Sequence, residues 1–485
     1  MPPPAEPPPK RLIVPGSEST PAGGAPPRIL VPGEPEADAR PTELETEGAA
    51  APPPTTPRII LPPGATAAAD DDLPAYPRLR PLVLVPFSDG QRELLLVNDP
   101  LGVIPGQPVL AVESLALIQL LDGATSLTDI TAALMRESRD LRVANMVRDF
   151  VAKLDQMLML ESPRFERAYQ ELRDAYHPLE IRQAALAGRS YPAEPEPLTE
   201  FLAGHFAEAE RWAAEDAAET RGPAIEPARI LGLMAPHLDP NRSGATIARA
   251  YLELAPELAD EPLRVVVFGT GHSLYGDLFA LTRKHFETPL GKLECDTRFV
   301  DAVAARLGDA AYRSELAHRE EHSIEFQAVY LKYRFGDRRV KIVPILCGGF
   351  HALLDEGTTP RASAEFEALI EAVRETAKEQ GGRTVYVAGV DFSHVGPRFG
   401  DPSVDDRTRA EVETHDRDAL EAARRGDADG WFRSIAAHDD STRICGYAPT
   451  YALLRCVEPG EGRLLRYERS DEKDGSFVSV ASMAW

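Results

Sequence analysis

The segment Val265-Val-Val-Phe-Gly-Thr-Gly-His272 decides how this chain folds, because it joins an uninterrupted apolar run to a glycine and then to an imidazole. Two other segments follow the same plan. Ile230–Met234 leads to His237, and Val385–Val390 leads to His394. Short apolar runs rich in β-branched residues are typical of strands buried on both faces of a sheet. The sequence therefore predicts three buried strands that each end close to a histidine.

Helical patterns alternate with strand patterns throughout residues 181–485. The remaining predicted strands are Val340–Leu346, Leu464–Glu468 and Val478–Met483. The predicted helices include Ser243–Leu254, Thr297–Leu307, Ser323–Tyr333 and Ala362–Lys378. This alternation is typical of an α/β domain in which helices cover both faces of a mostly parallel central sheet.

Residues 1–75 form a proline-rich tail that holds 20 of the 44 prolines and almost no aromatic residues. Such a segment buries too little apolar surface to offset the entropy lost on ordering, so we expect it to be disordered. It repeats one motif, as Arg11-Leu-Ile-Val-Pro-Gly16, Arg28-Ile-Leu-Val-Pro-Gly33 and Arg58-Ile-Ile-Leu-Pro-Pro-Gly64. The repeats either suit addition to a sheet edge or reflect drift in a low-complexity linker.

Residues 76–162 predict a small winged-helix-like α+β module, joined to residues 181–485 by a helical connector at 163–180. The module's predicted strands are Leu82–Phe87 and Glu93–Val97, and its predicted helices are Val109–Leu121, Ser126–Arg136 and Val143–Leu158. The third helix has the clearest signal, because its apolar residues recur at the i, i+3, i+4 spacing. Ser126 is the expected N-cap of the second helix.

The overall composition argues against several functional classes. A formal net charge of -24 disfavours a nucleic-acid partner, which requires a basic face. No window approaches the roughly 18 apolar residues of a membrane span, so no membrane partner is expected. The four cysteines include no C-x-x-C pair, so a reducing cytoplasm is the expected location.

Three histidines are expected to meet at one edge of the predicted sheet. Ligands of α/β proteins bind outside the carboxyl ends of the strands, and imidazole is both a common metal ligand and a general base near neutral pH. His237, His272 and His394 are therefore candidate ligands or bases. Asp391 lies three residues before His394 and could orient an imidazole. For any single histidine, a structural role is the alternative.

Two further segments carry candidate site residues. Cys445 precedes a small-residue helix, whose positive dipole end favours the thiolate; the alternative is a buried, inert cysteine. In Glu321-His-Ser-Ile-Glu325, His322 and Glu325 lie three apart on one face of a helix start. These two residues either support the site or form a capped helix start with an ion pair.

The motifs, taken in this order, resemble those of the Memo-like family, which includes the B component of the AmmeMemoRadiSam systems. The matching segments are Ala235-Pro-His237, Gly271-His-Ser273, Glu321–Glu325, Asp391-Phe-Ser-His394 and Cys445-Gly446, with Ala187–Pro192 and Phe477–Ala481 at the two ends. The resemblance covers essentially all of residues 181–485. It implies a fold similar to that of class III extradiol ring-cleaving dioxygenases.

The resemblance also implies roles for individual residues. His237, His272 and Cys445 match the metal ligands of the family. His394 matches the position of the dioxygenase base, with Asp391 beside it. Because the third ligand is a cysteine instead of a carboxylate, the donor set suits iron or copper, and also zinc.

The chain departs from the usual family pattern directly after His237, where Leu238-Asp239-Pro240 stands. Asp239 either adds a carboxylate to the site or makes a turn with Pro240. This departure bears on the substrate class more than on metal binding.

Residues 79–162 resemble the PqqD-like family at the level of pattern, and a plain winged-helix spacer or dimerisation module is the alternative. The PqqD-like resemblance implies a peptide or protein partner, and the AmmeMemoRadiSam resemblance implies a radical SAM partner. Two functional classes follow. One is a redox metalloenzyme, and the other is a non-catalytic metal-holding or scaffolding protein that retains a dioxygenase-like cleft.

Overall fold

The computed structural model describes residues 59–60, 73–88, 92–219, 230–274, 276–458 and 460–485. The chain folds as two compact units, Met1–Asp174 and Ala175–Trp485. Nearly all of the predicted disordered tail, residues 1–75, lies outside the described residues. None of the described helices is both long enough and apolar enough to span a bilayer.

The first unit contains a four-stranded antiparallel sheet and several helices. Its strands are β1 (Ile59–Ile60), β2 (Val83–Ser88), β3 (Glu93–Asn98) and β4 (Val109–Ala111), in the order β1-β4-β3-β2. Its helices are α1 (Leu115–Ile118), α2 (Leu127–Ser138), α3 (Val143–Gln156) and α4 (Pro163–Tyr176), of which α4 continues past the boundary between the units.

One predicted element of the first unit is wrong in part. The helix expected at Val109–Leu121 begins as strand β4, because Leu110 pairs with Leu95 and packs into the core. A 3-10 helix, Val112–Ser114, and the short helix α1 follow it. The other predicted helices are present, and Ser126 caps α2 by accepting the amide hydrogen of Asp129. The winged-helix assignment stays a prediction.

The second unit is built on a nine-stranded mixed sheet. Its main order is β10-β11-β7-β12-β6-β15-β13, with β14 paired to β15 and β8 paired to β11. These strands are β6 (Gly232–Ala235), β7 (Leu263–Thr270), β8 (Phe279–Leu281), β10 (Glu294–Cys295), β11 (Val340–Cys347), β12 (Arg383–Gly389), β13 (His394–Val395), β14 (Arg463–Asp471) and β15 (Phe477–Ala484). A separate pair joins β5 (Ile181–Arg182) to β9 (His285–Phe286).

The expectation of a mostly parallel sheet holds only for its centre. The pairings β10-β11, β11-β7, β7-β12 and β12-β6 are parallel. The strands β13, β14 and β15 pair antiparallel, and so does β8 with β11. One of these antiparallel pairings arises because β14 and β15 form a hairpin, which needs no crossover helix.

Helices cover both faces of the central sheet. They are α5 (Pro195–Glu219), α6 (Pro240–Tyr251), α7 (Thr297–Leu307), α8 (His322–Phe335), α9 (His351–Asp355), α10 (Ala364–Gln380), α11 (Asp406–Arg424), α12 (Ala428–Ala436) and α13 (Tyr447–Val457). Alternate residues of β7 enter two different cores, Val266 and Phe268 on one face and Val265 and Val267 on the other. A strand buried on both faces must be apolar throughout, which is why the sequence signal was strong.

The order of the central strands positions the site. Strands β7, β12 and β6 are direct neighbours and parallel, so their carboxyl ends lie at one edge of the sheet. Thr270, Gly389 and Ala235 are their last residues. The segments that carry His237, His272, Asp391 and His394 start at these three points.

Candidate metal centre

His237 is held at the end of β6 by three hydrogen bonds. Its Nδ1 lies 2.9 Å from the carbonyl oxygen of Gly389, and its amide nitrogen donates to Oδ1 of Asp391 at 3.0 Å. The amide of Leu238 donates to the same oxygen at 2.9 Å. Because a carbonyl oxygen can only accept, Nδ1 of His237 carries the proton and Nε2 keeps its lone pair. The side chain thus presents Nε2 as a donor atom for a metal ion, that is, as an atom whose lone pair can bind the metal.

His272 is held by the carboxylate of Glu321. The amide nitrogen of His272 donates to Oε2 at 2.9 Å, and Nδ1 lies 3.1 Å from each carboxylate oxygen. This arrangement places the proton on Nδ1, so the Nε2 of His272 is also a free donor atom. The side chain of His272 is 39% exposed, so the site opens to solvent on this side.

Cys445 completes a group of three donor atoms. Its Sγ lies 3.1 Å from Nε2 of His237, and one donor atom each from His237, His272 and Cys445 lie within 4.8 Å of one another. Such spacing is within the reach of metal–ligand bonds of about 2.0–2.3 Å. The backbone of Cys445 is fixed because its carbonyl accepts the hydroxyl of Thr270 at 2.9 Å.

Gly446 lets the segment of Cys445 approach the end of β12. The Gly446 amide donates to the carbonyl of Asp391 at 3.0 Å. A Cβ atom at this position would lie 2.6 Å from Cβ of Val390 and 2.9 Å from the same carbonyl oxygen. Because these neighbours are rigid, a side chain at position 446 would push Cys445 away from His237.

His394 and Asp391 lie beside the three donors. Donor atoms of Asp391, His394 and Cys445 form a second group within 4.8 Å. Nδ1 of His394 contacts the carbonyl oxygens of Phe392 and Arg443 at 2.9 and 3.0 Å, so Nδ1 carries the proton and Nε2 can accept one. Oδ2 of Asp391 lies 3.5 Å from Nε2 of His237. The roles of both residues in catalysis stay predictions.

Glu321 is the residue of the site that the sequence did not single out. Its carboxylate also lies 3.1 Å from Nδ1 of His322 and accepts the amide hydrogen of Ser323 as the N-cap of α8. The rings of His272 and His322 stack at 4.8 Å. One carboxylate thus anchors two imidazoles and a helix start. An acidic N-cap directly before a histidine is the signal that would have identified it.

Two residues that the sequence offered as further members of the site, Glu325 and Asp239, form contacts elsewhere. Glu325 is fully buried, pairs with Arg182 and accepts the hydroxyl hydrogen of Tyr191. Asp239 is the N-cap of α6 and accepts the amide hydrogen of Asn241, with Pro240 in the first turn. Of the outer residues predicted from sequence, only His322 is part of the cluster around the donors, within the part of the chain that the structure describes.

Burial and neighbouring charges set the protonation of the site. Burial lowers the pKa of His237 well below its ordinary value and also lowers the pKa of His394. Burial would lower the pKa of His272 too, but the Glu321 carboxylate raises it. Burial, together with Asp391, raises the pKa of the Cys445 thiol well above its usual range. The expected dipole effect on Cys445 is therefore not the dominant one, and its proton must leave when a metal binds.

The model of the family described as Memo-like protein matches residues 182–484, which include every residue of this site. The chain belongs to the Memo-like protein family. The chain is similar to several proteins named as MEMO1 family proteins. The one from Aquifex aeolicus is 27% identical over 417 residues, which cover 84% of this chain and 99% of the relative.

Two archaeal relatives match a shorter part of the chain. The MEMO1 family protein of Methanosarcina acetivorans is 31% identical over 309 residues, 63% of this chain and 98% of its own length. That of Pyrococcus furiosus is 30% identical over 315 residues, 63% of this chain and 97% of its own length. The Aquifex match covers 84% of the chain, which is longer than the segment matched by the family model, residues 182–484, and the few residues after it. The match therefore includes residues that precede the Memo-like domain.

Proposed function

We propose that His237, His272 and Cys445 bind one transition-metal ion and that the Memo-like domain is a metal-dependent oxidoreductase with a site similar to those of non-haem dioxygenases. The observation that carries the proposal is the convergence of the three donor atoms within 4.8 Å. In both histidines the other ring nitrogen is engaged, by Gly389 and by Glu321. Such partners fix the tautomer and the ring orientation of metal-binding histidines.

The donor set fits a metal that accepts both nitrogen and sulfur. Two imidazoles and one thiolate suit iron or copper, and zinc as well. A bound metal of this kind supplies a Lewis acid or a redox centre. The half-exposed rings of His272 and His322 leave one side of the centre open for a substrate.

The residues of the chain supply positioning and proton transfer. Asp391 fixes the backbone at His237, because its carboxylate accepts the amide hydrogens of both His237 and Leu238. Glu321 fixes the ring of His272. His394 is the candidate base, because its lowered pKa keeps it neutral near pH 7 and its Nε2 can accept a proton from a bound substrate.

A second candidate function is metal holding without turnover. It is favoured by the position of Asp391, whose Oδ2 lies 3.5 Å from Nε2 of His237 but outside the group of three donors, so that a shift of this side chain would bring a fourth donor to the metal. Four protein ligands would close the coordination sphere, as in structural metal sites. Azide added to the cobalt-loaded protein distinguishes the two. A changed visible spectrum indicates an open position and supports the enzyme, and an unchanged one supports metal holding.

The biological setting is proposed on the resemblance alone. The proposed setting is a peptide-modification or radical-SAM-associated system, with a peptide or a radical SAM protein as partner. Such a role would suit a metal domain that follows a small module in the sequence. Co-purification of the full chain with a radical SAM protein of the same organism tests this setting separately from the metal site.

The experiment that tests the proposed function is metal analysis of anaerobically purified full chain. We expect about one transition-metal ion per chain in the wild type and loss of that ion in His272→Ala. The matched control is His438→Ala, which changes a histidine outside the site and should keep the metal. Equal metal content in both variants would contradict the proposal.

A further inference from the structure

The first unit has a sheet edge that a short segment of the tail occupies. Strand β1 pairs antiparallel with β4, with Ile59 opposite Leu110 and Ile60 opposite Val109. On its other side β4 pairs with β3. Without β1, the outer backbone groups of β4 would therefore be those of an edge strand, free to pair with an added segment.

The opposite edge of the same sheet is less suited to addition. It is formed by β2, which contains Pro86. Proline has no amide hydrogen, so it interrupts the hydrogen-bond ladder and protects an edge strand from further pairing. Within the described residues, β4 is thus the edge of this sheet that accepts a strand.

The segment on β4 belongs to the third tail repeat. Ile59 and Ile60 follow Arg58 and precede Leu61-Pro62. The equivalent pairs are Ile29-Leu30 in the second repeat and Leu12-Ile13 in the first. In all three repeats an arginine precedes the pair, and a proline stands two residues after it. Proline cannot continue the backbone pairing of a strand, so a strand formed by any of the three repeats would end at the same place.

We propose that the β4 edge is a strand-addition site for this repeated motif and that the three repeats of the tail are interchangeable occupants of it. Strand addition recognises mainly backbone groups, while alternate side chains adjust affinity. The motif keeps aliphatic residues at both pairing positions, which suits β structure. The tail is thus an internal ligand of its own module.

Tether length explains why the third repeat occupies the edge. Residues 61–72 separate Ile60 from the first described residue of the module, whereas residues 31–72 separate Leu30 from it. Effective concentration falls roughly as the −3/2 power of tether length, so the third repeat outcompetes the second by about sixfold and the first by about tenfold. The first and second repeats then pair with the edge when the third repeat leaves it, or they pair with the β4 edge of another copy of the chain.

Hydrogen–deuterium exchange of the full chain tests the proposal at the amides of Val109 and Ala111, which face outward from β4, whereas the amide of Leu110 faces Leu95 of β3 and serves as an internal control. Replacing the pair by proline removes both amide donors, so Ile59→Pro/Ile60→Pro should reduce protection of the two outward amides by up to about fivefold, the limit set by the two remaining repeats. Replacing the equivalent pair in all three repeats should remove the remaining protection. A free peptide of residues 24–36 should then restore it.

The matched control is Ile29→Pro/Leu30→Pro, which should leave protection of the two outward amides almost unchanged because the second repeat is a minor occupant. Two results would overturn the proposal. Equal protection in the wild type and the triple variant shows that the tail does not cover the edge. Equal loss in the third-repeat and triple variants, without rescue by the peptide, shows that the repeats are not interchangeable.

Discussion

His237 and His318 are equally buried, each 1% exposed, yet their surroundings differ completely. In both, one ring nitrogen contacts a backbone carbonyl, that of Gly389 for His237 and that of Ala280 for His318. The remaining nitrogen of His237 lies 3.1 Å from Sγ of Cys445. The remaining nitrogen of His318 meets no hydrogen-bond partner within the described part of the chain.

The difference shows that burial and one anchoring hydrogen bond do not make a metal site. What distinguishes His237 is its place at the end of a central strand, next to two other strand ends. His318 lies in a single-turn segment, Glu315–Arg319, and belongs to none of the groups of metal-ligand donor atoms found among the described residues. A buried imidazole becomes a ligand only where the fold brings other donor atoms to its free nitrogen. The predictions below test this contrast.

The largest expected effect concerns His318 and protein stability. Burial lowers the pKa of His318 to about 4, whereas the unfolded chain has the ordinary value of about 6.5. The unfolded state therefore binds the proton more readily, so stability is full above about pH 6.5 and is lost as the pH falls towards 4. The loss amounts to about 3 kcal/mol. Urea unfolding of the wild type and His318→Gln at pH 7 and pH 4.5 should show a smaller pH dependence in the variant. Parallel curves would mean that His318 is not held neutral.

The next effect concerns Glu321 and metal affinity. Glu321→Gln removes the charge that orients His272 and His322, so metal affinity should fall by about 10- to 100-fold. Titration with zinc and a competing chelator measures the change. Glu320→Gln is the control, because that neighbouring side chain is 53% exposed and pairs with Arg319 at the surface. An unchanged affinity in Glu321→Gln would show that His272 needs no anchor.

The smallest expected effect on metal binding concerns His394. Because Nδ1 of His394 contacts two carbonyl oxygens and the residue is proposed as a base and not as a ligand, His394→Ala should change zinc affinity by no more than about threefold, well below the effect of removing a ligand partner. Under the proposed function, any oxygen uptake by the iron-loaded wild-type protein should be lost in this variant. If the variant instead loses metal as His237→Ala does, His394 is a ligand. All three histidines that follow the central strands are then metal ligands, in contrast to His318.

Much of the second unit could be predicted from sequence because its central strands are buried on both faces. The predicted run Val340–Leu346 is the strand Val340–Cys347, and the predicted helix Thr297–Leu307 has the observed bounds. The mixed character of the sheet was not predicted, since strand direction depends on connections that a local pattern does not record. The first turn of the helix predicted at Val109–Leu121 is a strand instead, because Val109–Ala111 pairs with Leu94–Leu96 of β3, and a local pattern does not record such pairing.

The part of the site that could be predicted from the sequence is the part that follows from the order and direction of the strands. Residues that follow parallel strands must gather at one edge, which is why His237, His272 and Asp391 lie close together. The partners of these residues were harder to predict. Glu325 was chosen over Glu321 from helical spacing, but the side chain of Glu325 pairs with Arg182, more than a hundred residues earlier in the chain. Such pairings depend on the tertiary fold and leave no periodic signal.

The central claim is that Cys445 and the two strand-end histidines hold one metal ion, and X-ray absorption of the zinc-loaded full chain tests it most directly. The account predicts one sulfur atom at about 2.3 Å and imidazole nitrogens at about 2.0–2.1 Å from the metal. The sulfur should disappear in Cys445→Ser and persist in Cys456→Ser, which changes a buried cysteine outside the site. A spectrum without sulfur in the wild type, or with sulfur still present in Cys445→Ser, would contradict the account.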